Sequence, residues 1–229
     1  MTRAARPLPS AFLAILGCLA GLWPNPAEAG AWPREVGTGF ASTVSYLTWP
    51  QSLGYTGARM AENRYDTLYL EYGLTPRWTI GLDLGHSVSG AEKLIVFARR
   101  PIVRPEARLQ IAVEGGAGQI DGDTVLRPGL SLGYGWNGGW LNGDLLAEHQ
   151  GDRGATDVKL DLTYGRALGR RKLMLQIQAG QKDGDDPFVR LAPSVVMPVW
   201  RDVSLELGVT YGLEGDDSMG LKLGIWTEF

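Results

Sequence analysis

The sequence holds a single cysteine, Cys18, among 229 residues. Cys18 falls in a segment read below as a removable leader. The remainder then has neither a disulfide nor a thiolate metal site. Histidine is almost as scarce, with only His86 and His149, which leaves few bases for nucleophilic or general-base chemistry. A basic excess is missing too: 22 Lys and Arg stand against 25 Asp and Glu, for a net charge of −3. That balance argues against a nucleic-acid partner. Long apolar runs are nearly absent. Outside Ala11 to Trp23, no stretch approaches the roughly 18 apolar residues of a membrane helix.

What is present begins with export. Arg3 and Arg6 precede the apolar run, and Ala27-Glu28-Ala29 has the small-x-small form of a cleavage site. Residues 1–29 are therefore read as a signal peptide cleaved behind Ala29, and 30–229 as the folded domain. The competing reading is a lipoprotein box, Ile15-Leu16-Gly17-Cys18, but its apolar run is short and the later site is better placed. Export without a membrane helix leaves a periplasmic protein, a secreted protein or a membrane β-barrel.

The folded part is a succession of alternating segments. Trp78, Ile80, Leu82 and Leu84 alternate with Thr79, Gly81, Asp83 and Gly85. Val203, Leu205, Leu207, Val209 and Tyr211 alternate with Ser204, Glu206, Gly208 and Thr210. Such a period of 2 marks strands with one apolar and one polar or small face. About twelve segments fit, separated by turn residues such as Thr75-Pro76-Arg77, Asp121-Gly122-Asp123 and Asn137-Gly138-Gly139. Three registers stay open. Strand one has mixed faces. In strand four Leu94 and Val96 compete with Ile95 and Phe97. In strand seven Leu146 breaks the pattern. Pro193 lies inside strand ten, where a lost ladder bond predicts a bulge.

The last segment alternates Leu221, Leu223, Ile225 and Phe229 with Lys222, Gly224, Trp226 and Glu228, and the chain stops on the aromatic Phe229. This ending resembles the closing strand of bacterial outer-membrane β-barrels, a porin-like class whose terminal Phe is part of an assembly signal. The resemblance extends over 30–229 and names no subfamily. It implies an all-β, transmembrane, up-and-down antiparallel barrel of about twelve strands. It also implies partners in outer-membrane lipid, lipopolysaccharide and the barrel-assembly machinery, with no cofactor. An even strand count places both ends on the periplasmic side. Tyr72, Trp78, Tyr134, Trp136, Trp140, Tyr164, Trp200 and Phe229 then cluster at the periplasmic strand ends, as an interfacial girdle would. Arginines collect at the periplasmic turns and Asp and Glu at the outer links. The acidic rim is read either as turn chemistry or as a collector of cations.

In this topology Glu71, Asp83, Arg108, Glu114, Arg127, Asp144, Glu148, Lys159, Asp161, Arg190, Glu206, Lys222 and Glu228 face the lumen. They either line a wet, weakly cation-preferring pore or pair with one another and fill it. The expected function is a narrow channel or transporter for a small solute. The alternatives are a filled barrel with a structural or lipid-organising role, an outer-membrane enzyme, and a soluble periplasmic β-sandwich or lipocalin-like binder. For the enzyme, Ser87 follows His86 but lies on the opposite strand face, so the two form no nucleophile–base pair.

Overall fold

A computed structural model describes residues 30–61, 63–103 and 107–229. The expected leader with Cys18, and the expected turn at Arg104-Pro105, lie outside the described residues. Twelve strands follow in order: β1 (Gly39–Pro50), β2 (Asn63–Thr75), β3 (Trp78–Ser87), β4 (Glu92–Pro101), β5 (Leu109–Ile120), β6 (Asp123–Trp136), β7 (Gly139–Gln150), β8 (Ala155–Leu168), β9 (Arg171–Gln181), β10 (Phe188–Trp200), β11 (Val203–Glu214) and β12 (Ser218–Glu228). Each pairs antiparallel with its sequence neighbours, and β12 returns to β1 to close the barrel. Closure leaves no edge strand, so the backbone polar groups along the wall find partners within it. The seam runs from Phe40 opposite Glu228 to Pro50 opposite Ser218. At its end, Gly39 donates to the carbonyl of Phe229 at 2.6 Å, and Phe229 donates back to Gly39 at 3.0 Å.

The strand connections are of two kinds. One end of the barrel, here the turn end, carries the tight connections at Pro76-Arg77, Asn137-Gly138, Gly169-Arg170 and Arg201-Asp202, together with the β4–β5 connection, the start of β1 and Phe229. The connection between β4 and β5 is longer than the sequence pattern predicts. The other end, the loop end, carries the remaining links. Between β5 and β6, Asp121 (φ 52°) and Gly122 (φ 88°) are both left-handed, as a two-residue hairpin matching the strand twist requires. Between β1 and β2 lies a short 3-10 segment, Gln51–Met60. It covers Trp49, whose indole donates to the Gly54 carbonyl at 2.8 Å.

The barrel is apolar outside and polar inside. Leu162, Leu175, Leu207 and Ile225 stand exposed on the outer wall, while Glu71, Arg127, Asn142 and Glu206 are buried within. A water-soluble domain has the opposite polarity; a membrane barrel has this one.

The structure resolves the open registers. In β4, Ile95 and Phe97 are buried inside and Leu94 and Val96 are exposed outside. In β1 the lumen side is the aromatic one: Phe40 meets Trp226 edge-on at 5.5 Å, and the Lys222 ammonium lies 5.9 Å from the Tyr46 ring. Pro193 causes no bulge. It stays in register with Leu175 of β9, and the shifts against β11 fall between Val189 and Arg190 and between Pro198 and Trp200. Losing one ladder bond does not demand an extra residue when the flanking bonds hold the register.

Candidate functional site: the lumen

A chain of alternating charge crosses the inner face of β2 to β6. Arg34 Nε meets Glu71 Oε2 at 2.7 Å, and Arg99 Nη1 meets Glu71 Oε1 at 2.5 Å. Arg99 Nη2 reaches Glu114 at 2.8 Å, whose other oxygen lies 3.0 Å from Arg127 Nη2. Arg127 Nη1 continues to Asp83, and Lys93 closes the series on Asp83 at 2.8 Å. Tyr69 donates to Glu71 at 2.7 Å and accepts from Arg99 at 2.9 Å. Its ring stacks on Phe97 at 5.5 Å, and the Arg99 and Arg127 guanidiniums lie 5.3 and 5.5 Å from the Phe97 centroid. Burying charges costs free energy unless each has a partner and its hydrogen bonds. Here each guanidinium bridges two carboxylates or ends on one, which meets that condition.

Two smaller pairs follow the same rule. Lys222 lies 2.7 Å from Glu206, which also accepts from Ser194 and from the Trp226 indole. Lys159 lies 2.6 Å from Glu148. Across the lumen, β8 and β9 present Thr163, Gln176 and Gln178, all half-buried. They help line a cavity of about 370 Å³ with the charged chain on its far side. Above it, at the loop end, a vestibule of about 620 Å³ is lined by Asp123, Glu148, Asp157, Lys159, Lys182 and their neighbours.

The turn end of the lumen is occupied by the segment ahead of β1. Ala31 and Trp32 are buried against Trp140, with Met174 beside them. Trp32 lies where a Cβ on Gly133 would sit, 2.5 Å from its ring, so only glycine permits the approach. Arg99 donates to the Gly30 carbonyl at 2.8 Å, the Ala31 amide to Asn142 Oδ1 at 3.2 Å, and the Arg34 amide to Thr79 at 3.1 Å. A bridge from Val36 to Gly73 and the Gly37–Gly73 bond tie this strap to the end of β2.

The residues assigned to the lumen from the sequence separate into groups. Glu71, Asp83, Glu114 and Arg127 belong to the charged chain. Glu148, Lys159, Glu206 and Lys222 form the two pairs. Asp144 and Asp161 face each other across the β7–β8 ladder. Arg190 lies at the loop end against Asp216, at 2.6 Å. Glu228 lines the cavity at its turn end, with Lys172 4.0 Å away. Arg108 departs from the expectation: it is exposed ahead of β5, where its carbonyl accepts from Gly135, because β5 starts one residue later than the pattern suggests.

Among the girdle residues, Tyr72, Trp78, Tyr134, Tyr164, Trp200 and Phe229 are exposed. Trp136 lies between Tyr134 and Tyr164, at 6.1 and 5.9 Å. Trp140 is the correction: it is 2% exposed and points inward onto the strap. Its parity with Asn142 and Asp144 already places it on the inner face. Arg99, Lys93 and Arg34 were not singled out by sequence. Arg99 and Lys93 sit on the strand whose register was open, and Arg34 precedes the first strand.

His86 lies on the outer wall with Glu92, 3.4 Å away, and His149 bonds Thr156 at 3.0 Å. A groove of about 710 Å³ on that wall, lined by Ser45, Arg64, Asp66, His86 and Glu92, faces away from the lumen. Among the described residues, no three or more His, Cys, Asp or Glu side chains are grouped to hold a metal ion.

The comparisons with known proteins fit this geometry. The KdgM porin superposes with a TM-score of 0.61 over 82% of this chain and 99% of its own, at 8% identity. The NanC porin gives 0.62 over 82% and 98%, at 10% identity. The chain has the fold of the porin-like outer-membrane β-barrels. A third porin-like barrel, the COG4313 outer-membrane channel from Pseudomonas putida F1, gives 0.56 over 90% of this chain and all of its own, at 12% identity. No protein-family model and no curated protein matches the sequence.

Proposed function

We propose that the chain is exported by a leader cleaved behind Ala29 and assembles in the outer membrane as a narrow channel for small polar solutes. The turn end faces the periplasm in this reading, and the exposed Phe229 serves the assembly machinery. The outer wall meets lipid and lipopolysaccharide. The observation that carries the channel reading is the division of the lumen. The charged chain packs against β2 to β6, and the half-buried Gln176, Gln178 and Thr163 face the cavity from β8 and β9. The solute path runs along that neutral polar side.

The pairing also bears on the solute. One solved structure has the KdgM porin in complex with disordered oligogalacturonate. A polyanion needs cationic groups free to meet its carboxylates. In this lumen Arg34, Arg99 and Arg127 are already held by Glu71, Glu114 and Asp83. The reading is therefore a neutral or weakly cationic solute, entering past a rim where Asp123 is held by Arg153 and Asp216 by Arg190. A filled barrel with a structural or lipid-organising role is the second reading, favoured by the Ala31, Trp32 and Trp140 cluster at the turn end.

Planar-bilayer recording on protein purified from outer membranes tests the two. Discrete steps with a slight cation bias, and liposome swelling faster in a neutral sugar than in an acidic one, are the expected results. A silent bilayer with insertion confirmed would establish the filled barrel. Deleting Phe229 is expected to lower the yield of inserted barrel.

A further inference from the structure

Asp144 and Asp161 are a pair of lumen carboxylates that no side chain meets in a salt bridge among the described residues. They are cross-strand partners on the inner face of β7 and β8. Neither has a salt bridge among the described residues, although Glu71, Asp83, Glu114, Glu148 and Glu206 each do. Asp144 Oδ2 accepts from Asn142, while its Oδ1 is buried with no hydrogen-bond partner among the described residues. Two adjacent carboxylates inside a wall call for a cation.

The backbone of Gly30 lies against Asp144, the cross-strand partner of Asp161. A Cβ built on Gly30 would stand 2.6 Å from Asp144 Oδ1 and 2.5 Å from Asn142 Nδ2. The Gly30 nitrogen is bonded to the same Cα, which puts it within about 5 Å of that oxygen by standard bond lengths. In the uncleaved chain this nitrogen is a neutral amide. Hydrolysis of the Ala29–Gly30 bond consumes one water: the hydroxyl goes to the Ala29 carbonyl carbon and the hydrogen to the Gly30 nitrogen. The new amine takes up a proton and becomes an ammonium at neutral pH.

We propose that Asp144 and Asp161 form the seat of the Gly30 α-ammonium released by cleavage, so that processing of the leader locks the strap into the turn end of the lumen. This rests on cleavage behind Ala29 and not on the channel reading. Removing the peptide supplies a cation beside a carboxylate that has no salt bridge. It also frees the strap to enter the lumen with a small residue at its tip. The contacts of Arg99 to the Gly30 carbonyl, Ala31 to Asn142, and Trp32 to Gly133 then hold the tip in one place.

The test is a double-mutant cycle on full chains expressed for export and purified from outer membranes. One change inserts Ala-Ala between Ala29 and Gly30, which moves the ammonium two residues away. The other is Asp144→Asn. Intact mass gives the first residue of each product, and a start other than Gly30 in the unmodified chain would overturn the cleavage on which the proposal depends. The expected result is that the insertion lowers the thermal unfolding midpoint of the parent barrel and shifts it much less when Asp144 is Asn. Equal shifts in both backgrounds would overturn the ion pair. If Asp144→Asn does not assemble, amine labelling of the parent decides. A Gly30 amine labelled far more slowly than Lys182 supports the seat, and equal labelling overturns it. Unfolding and labelling do not depend on conductance. A silent barrel that keeps the coupling would therefore retire the channel and leave the seat in place.

Discussion

The two sides of the lumen solve the same problem in opposite ways. On β2 to β6 the inward positions carry full charges, and they are packed: Glu71, Arg99 and Arg127 are each exposed by 5% or less. On β8 and β9 a stretch of inward positions, Thr163, Gln176 and Gln178, is neutral and half-buried against the cavity, with Asp161 and Lys172 flanking it. Charges in a low-dielectric wall must be paired, and pairing holds them in place. Neutral amides and hydroxyls can exchange partners with water at little cost. The charged side is therefore the rigid brace, and the neutral side is the surface along which a solute can move.

The largest expected effect comes from breaking the brace. Arg99→Ala strands Glu71 and Glu114 without their shared cation and should cost about 3–5 kcal/mol, read as a lower midpoint in denaturant unfolding. A loss below that of a typical surface substitution would mean that the chain of charges is not a brace. Next, the same lysine placed on the two faces of the wall should behave differently. Leu207→Lys puts an ammonium on the lipid side near mid-strand and should cost about 2–4 kcal/mol. Gln176→Lys puts it toward the cavity and should be tolerated far better. Equal costs would mean that the faces are assigned wrongly. Gly208 is a poor control despite facing inward, because a Cβ there would lie 2.7 Å from the Pro193 carbonyl oxygen.

Smaller effects should separate conduction from stability. Gln178→Glu adds a carboxylate beside the proposed path and should shift the reversal potential toward cations while leaving the unfolding midpoint nearly unchanged. A reversal potential that does not move would place the path elsewhere.

The smallest effect concerns the rim, where Asp216 joins the loop before β12 to Arg190. Partial burial pushes its carboxyl up. Hydrogen bonds from Ser218 and Arg190 outweigh this and hold it below the usual carboxylate range. A depressed folded value contributes stability that is complete above the unfolded value and lost as pH falls through the folded one. The difference in midpoint between the parent and Asp216→Asn should therefore be full at neutral pH and vanish in acid below the ordinary carboxylate range. A difference that grows on acidification would refute the assignment.

Much of the wall was legible because strand alternation is a local property. Trp78 to Gly85 and Val203 to Tyr211 state their own faces, and each turn marks itself with Pro, Gly or Asp. β4 did not state its face, since Leu94 to Phe97 is apolar at every position. Only Tyr69 and the two guanidiniums around Phe97 make an inward aromatic favourable there. Arg99 was lost with that register, because Arg99 and Arg100 are adjacent and one must face each way. Trp140 was legible by parity but was overruled by its position at a strand end, where tryptophan commonly meets the membrane interface.

The sequence by itself determined a closed antiparallel wall, its strand count, and which residues face in or out along most of it, because a period of 2 needs only near neighbours. The tertiary structure alone decided which charges meet, how the strap from Gly30 to Thr38 enters the lumen, and which side of the lumen stays open. Those outcomes depend on contacts between residues tens to more than a hundred positions apart, such as Arg99 with Gly30 and Ala31 with Asn142. No local pattern encodes which of several inward carboxylates a given arginine will reach, since that is set by strand register and barrel curvature acting together.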